Sequence, residues 1–126
     1  MITDKKTILV VDDEKDLRDA IATALSYEGF EILTAADGEE GLACALEKQP
    51  DLIFLDIMMP KMDGVELLKQ LRADSWGKKV PVIVMTAIDS MEKVAEVLEQ
   101  GGNEYLTKSS ITLSAIVQKA KDRLGV

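Results

Sequence analysis

Asp12-Asp13, Asp56, Thr86 and Lys108 each follow a short apolar run, and each carries atoms suited to chemistry. The stretch DLIFLDIMMP, residues 51–60, is the sharpest case, because Asp56 comes directly after four apolar residues. A carboxylate beside a core is costly to desolvate and persists there only if its charge is compensated or its reactivity is used. Singly, each residue has an ordinary reading. Asp12 and Asp13 suit the positive end of a first helix, Thr86 a cap, Lys108 a solvated strand end, and Met58 and Met59 packing. If the runs are strands of one sheet, three carboxylates, a hydroxyl and an ammonium converge on one edge of it. Three acids that close favour a cation, and an all-oxygen set suits Mg2+, with Mn2+ as the alternative, rather than zinc. Such an ion keeps several waters and readily accepts a phosphoryl oxygen, to which Lys108 offers a point charge and Thr86 a hydrogen bond.

Other chemistries are excluded by composition. There is no histidine, which removes histidine general catalysis, histidine ligation and Ser-His nucleophiles. The one cysteine, Cys44, has no disulfide partner, and two residues from Leu42 it falls off the apolar stripe, as a rim or surface thiol without a role. A formal charge of −8 argues against direct nucleic-acid binding, since that affinity comes largely from Lys and Arg. No apolar run approaches the ~20 residues of a membrane span, and MITDKKTILVV is no apolar leader. A cytoplasmic protein without membrane contact is expected.

The elements that must position these residues are legible. Apolar, β-branched runs at Ile8–Val11, Ile32–Ala35, Leu52–Leu55, Val80–Met85 and Tyr105–Thr107 predict strands. Between them, helical spacing links Leu17, Ile21, Ala24 and Leu25, then Met91, Val94, Val97 and Leu98, then Leu113, Ile116, Val117, Ala120 and Leu124. Gly29 follows the first helix, Asp37-Gly38 and Asp63-Gly64 open the second and third, Gly101-Gly102 closes the fourth, and Thr112 caps the last. Trp76 belongs to the polar loop at residues 74–79, packed on the surface. Alternating strands and helices predict one α/β domain over residues 1–126, core about 6–124, with a mostly parallel sheet covered on both faces.

The segments ILVVDDEKDLRDAIATAL, DLIFLDIMMPKMDGVELLKQLR, VPVIVMTA and GGNEYLTK strongly resemble the receiver domain of bacterial response regulators. The resemblance spans nearly the whole chain and implies a flavodoxin-like (βα)5 fold with strand order 2-1-3-4-5. It also implies roles. Asp56 would be the phosphoacceptor, taking a phosphoryl group from the phosphohistidine of a sensor histidine kinase or phosphotransfer protein. Asp13, Asp56 and the Met58 carbonyl would hold Mg2+, with Asp12 acting through a bound water. Lys108 would pair with the phosphoryl group, Thr86 would swing in to bond it, and Tyr105, the switch aromatic, would rotate inward after it. The face of the fourth helix, fifth strand and fifth helix would then meet a downstream protein or output domain, with a phosphorylation-dependent dimer left open. Such a domain catalyses only its own phosphorylation and dephosphorylation.

Two departures from the family pattern matter. Many receivers have proline after the lysine, often in a cis bond, whereas this chain reads Lys108-Ser109-Ser110. A cis bond there would cost ~2.5–4 kcal/mol, so either the peptide is trans or the surrounding loop holds it under strain. Two residues after Asp56 and Thr86 stand Met58 and Ile88, whose apolar side chains are expected to hinder water and prolong the acyl phosphate. An aspartyl phosphatase is disfavoured, because its second acid would stand where Met58 does. A receiver that never becomes phosphorylated is disfavoured by the complete set of acids, threonine and lysine. The start at Met1 and the lack of a trailing linker favour a stand-alone regulator over a piece of a longer transcription factor.

Overall fold

β1 (Thr7–Val11), β2 (Glu31–Ala35), β3 (Leu52–Asp56), β4 (Val82–Thr86) and β5 (Glu104–Thr107) alternate with α1 (Lys15–Tyr27), α2 (Gly38–Lys48), α3 (Gly64–Ala73), α4 (Met91–Glu99) and α5 (Leu113–Leu124). The computed structural model describes residues 5–86 and 91–126, without the side chains of Met91 and Ser110. Ile88 and the inward placement of Met91 therefore lie outside what is described. All strand pairs are parallel, in the order β2-β1-β3-β4-β5, which is the flavodoxin-like arrangement expected.

Both faces of the sheet are covered, which explains why the central strands are continuously apolar rather than alternating. Leu9, Val11, Ile53, Leu55, Val82 and Val84 form one core with Leu67, Leu71, Val94 and Val97 of α3 and α4 and Ala45 of α2. Ile8, Val10, Phe54, Ile83 and Met85 point the other way, onto Ile21 and Leu25 of α1 and Ile116 and Ala120 of α5. Trp76 and Cys44 are partly buried against the first of these cores. No helix among the described residues is long and apolar enough to cross a membrane.

Helix ends follow the sequence closely. Asp37, Asp63 and Thr112 accept the amide N–H groups of Glu40, Glu66 and Ala115, each as an N-cap. At the far ends, Gly29 and Gly101 take positive φ, +94° and +102°. α1 is different: its N-cap is Glu14, which makes no side-chain cap bond, so neither Asp12 nor Asp13 caps that helix.

Two further expectations are corrected, and one alternative left open is decided. The fourth ladder begins at Val82 rather than Val80, because Pro81 has no N–H to give, although its carbonyl accepts from Ile53. Among the described residues of α4, Val94 and Val97 face the core but Leu98 is exposed, as is Leu113 in the first turn of α5, each lying at the solvent edge of its apolar stripe. The Lys108-Ser109 peptide is trans, and Lys108–Ser110 forms a short 3-10 turn before α5.

Candidate functional site

Asp56 is the last residue of β3 and Asp12 follows β1, its hydrogen-bonded neighbour, so both stand at the carboxyl edge of the sheet where strand order reverses. Both are buried, while Asp13 is exposed at the mouth. One carboxylate oxygen from each of Asp12, Asp13 and Asp56 lies within 4.8 Å of the others. α3 closes the far side. A side chain at Gly64 would approach the Asp56 carbonyl oxygen to 2.8 Å and the Ile57 Cα to 2.7 Å, so only glycine admits α3 this close to the end of β3.

Lys108 reaches into this cluster from the turn after β5. Its Nζ lies 3.2 Å from Asp56 Oδ2, 3.2 Å from Asp12 Oδ2 and 2.7 Å from Glu14 Oε1. The Met58 amide donates to Asp56 Oδ1 at 3.3 Å, and the Glu14 amide donates to Asp12 Oδ1 at 2.8 Å. Asp12 Oδ2 is buried and makes no hydrogen bond among the described residues; Lys108 Nζ is its ionic neighbour and donates instead to Asp12 Oδ1, at 3.4 Å. Asp13, Glu14, Asp56, Met58 and Lys108 line an open cleft of about 200 Å³.

Four carboxylates and one ammonium leave the cleft strongly negative. Burial, reinforced by the charge of Asp12 and only partly offset by Lys108, pushes the Asp56 carboxyl up to about 7. Burial raises Asp12 as well. Burial alone would lower Lys108, but the bond to Glu14 and the charges of Asp56 and Asp12 hold it above the ordinary lysine value. A site with a surplus of oxygen anions, one of them buried and without a hydrogen bond, fits a hard divalent cation.

Thr86 and Tyr105 are placed near this edge but do not line the cleft. Thr86 ends β4, beside β3 in the register Asp56↔Met85, and is buried. Tyr105 is 40% exposed on β5, turned outward rather than inward.

The profile of the response regulator receiver domain matches residues 8–121. The chain belongs to this receiver family. It is 43% identical over 102 residues to the probable transcriptional regulatory protein TcrX of Mycobacterium tuberculosis, a stretch that is 81% of this chain and 43% of TcrX. The receiver thus spans less than half the length of that relative. Among solved structures it superposes on the chemotaxis response regulator CheY4 of Vibrio cholerae with TM-score 0.88 and 32% identity, covering 95% of this chain and 99% of that one. The receiver domain of the sensor histidine kinase PA1611 of Pseudomonas aeruginosa, with a magnesium ion coordinated in its active-site cleft, gives TM-score 0.88 at 26% identity, covering 98% and 100%. This receiver is a signalling domain of the two-component kind; its family binds Mg2+ at an acidic pocket, and this chain brings Asp12, Asp13 and Asp56 together.

Sequence reasoning missed two residues. Glu14 makes the shortest contact to Lys108 among the described residues, and Arg18 Nη1 bonds the Asp12 carbonyl at 2.8 Å. Neither is anomalous in sequence, since an acid before a helix and an arginine in its first turns are ordinary surface choices. The only signal was the third acid in the run Asp12-Asp13-Glu14.

Proposed function

We propose that this receiver accepts a phosphoryl group on Asp56 from the phosphohistidine of a sensor histidine kinase or phosphotransfer protein. A carboxylate oxygen of Asp56 forms the new bond to phosphorus as the P–N bond breaks. The electron pair stays with the leaving imidazole, which takes up a proton from solvent, and the product is an acyl phosphate. The observation that carries this reading is the convergence of Asp12, Asp13 and Asp56 within 4.8 Å, with Lys108 Nζ 3.2 Å from Asp56. Phosphoryl transfer asks little more of a protein than in-line positioning and charge neutralisation.

Asp13, Asp56 and the Met58 carbonyl would hold Mg2+, or Mn2+ in its place, with Asp12 acting through water. When bound, the ion supplies the positive charge that the surplus carboxylates and the incoming phosphoryl oxygens require. Lys108 pairs with the phosphoryl group, Thr86 moves from its buried position to bond it, and Tyr105 follows inward. α4, β5 and α5 each expose a large apolar side chain, Leu98, Tyr105 and Leu113, which supports that face as the one that meets a downstream protein, an output domain or a second copy. The domain acts in the cytoplasm, binds no nucleic acid itself and turns over no substrate besides its own phosphoryl group.

The test is intact mass after incubation with phosphoramidate, whose P–N bond stands in for phosphohistidine. One added phosphoryl group is expected with Mg2+, and none with chelator or in Asp56→Asn. If the parent takes up no phosphoryl group from phosphoramidate, acetyl phosphate or a purified histidine kinase, it is an unphosphorylated binding module instead.

A further inference from the structure

Among the described residues, Lys108 makes its shortest contact with an exposed acid of the cleft. Glu14 Oε1 is 2.7 Å away and its side chain is 60% exposed, whereas the buried oxygens of Asp12 and Asp56 are both 3.2 Å away. An ammonium is a point charge with three rotatable donors, so its position is set by whichever anions surround it. Here they surround it from inside and outside. The backbone of Glu14 is pinned on both sides, its amide donating to Asp12 Oδ1 at 2.8 Å and its carbonyl accepting from the Arg18 amide at 2.9 Å. Arg18 in turn holds the Asp12 carbonyl. The origin of the Glu14 side chain is therefore fixed relative to the cluster.

We propose that Glu14 is a positioning residue that draws the Lys108 ammonium toward the mouth of the cleft, leaving the oxygens of Asp12 and Asp56 open to a divalent cation. This rests on the reading of the site as a Mg2+-dependent phosphoacceptor. Ammonium and metal ion compete for the same two buried carboxylates, and they cannot both be served unless the ammonium has another anion to go to. Without Glu14, the ammonium closes on Asp12 and Asp56 and the cation must displace it.

The test is a double-mutant cycle on Mg2+ affinity, measured by calorimetry on the unphosphorylated chain. Removing an outer partner of a metal site weakens binding, and at this exposed mouth Glu14→Gln is expected to weaken Mg2+ binding about three- to tenfold. In a Lys108→Met background the same change should have little effect, because no ammonium remains to be drawn away. Glu14→Asp, which keeps the charge on a shorter arm, should restore part of the lost affinity. An equal loss with and without Lys108 would show that Glu14 is merely one more negative charge, and no loss in either would show that it does nothing for the cation; both overturn the proposal. Failure of the parent itself to bind Mg2+ is a different result, since it removes the metal-dependent reading of the site and this proposal with it.

Discussion

Asp56 combines two demands that oppose each other, burial that fixes its position and charge that makes it a nucleophile. The cost appears in the metal-free chain, where burial and the neighbouring Asp12 raise the Asp56 carboxyl to about 7. The folded chain then holds that proton more tightly than the unfolded chain does. The contribution of Asp56 to stability is fully present below the unfolded value near about pH 4 and is lost as pH rises to about 7. Asp12, raised by burial, acts in the same direction. In chelator, urea unfolding should therefore show stability falling between about pH 5 and pH 8. Asp56→Asn should flatten that slope and be more stable than the parent at about pH 8, by about 1–3 kcal/mol; a parent whose stability rises over this range would contradict the account. Met58 stands 54% exposed on the cleft wall, where its apolar side chain offers an attacking water no hydrogen bond. The Met58→Asn, Ile88→Glu variant should lose its phosphoryl group several-fold faster than the parent, followed by the decay of phosphorylated mass. Asp56 was legible because an acid at the end of an apolar strand contradicts burial physics, whereas Met58 and Ile88 were read only through the resemblance to the family. Glu14 was not, because its role lies in where a long side chain reaches.

At the scale of elements, local rules carried far. Asp37, Asp63 and Thr112 cap as their types demand, and the glycines after α1 and α4 take the conformation that favours glycine. What failed had two sources: Pro81, inside the predicted run itself, delayed the start of β4, and Leu98 is exposed although it lies on the apolar stripe. Arg72 is the clearest case of a tertiary device without a sequence signature. From the last turn of α3, its guanidinium bonds the carbonyls of Gly77, Val80 and Gly101 and the side chain of Asn103, at 2.6 to 3.2 Å. It thereby ties the loop before β4 to the end of α4. Arg72→Met should destabilise the fold by about 2–4 kcal/mol, since several carbonyls lose a charged donor at once. A urea midpoint unchanged from the parent would show that water replaces the guanidinium freely.

Across the whole molecule, the parallel order β2-β1-β3-β4-β5 brings residues 12, 56 and 108 together from strand ends far apart in sequence. The strand-helix alternation made this topology readable, because right-handed crossovers leave few alternatives. The same sheet links the cleft to the surface: β4 ends in Thr86, which pairs with Thr107 of β5, Tyr105 stands opposite Val84, and Glu104 joins β5 to α5 through Lys119 at 2.7 Å and Arg123 at 3.2 Å. A phosphoryl group can shift this face only by the interaction energy that differs between its two arrangements, about 1–3 kcal/mol. All of this depends on Asp56 being the residue that is phosphorylated. Its most direct test is reduction of the phosphorylated chain with borohydride, which converts an aspartyl phosphate to homoserine, followed by peptide sequencing. The account predicts homoserine at position 56 alone, and only after incubation with phosphoryl donor and Mg2+. Homoserine at position 12 or 13, or a phosphoryl group that survives borohydride on a hydroxyl side chain, would contradict it.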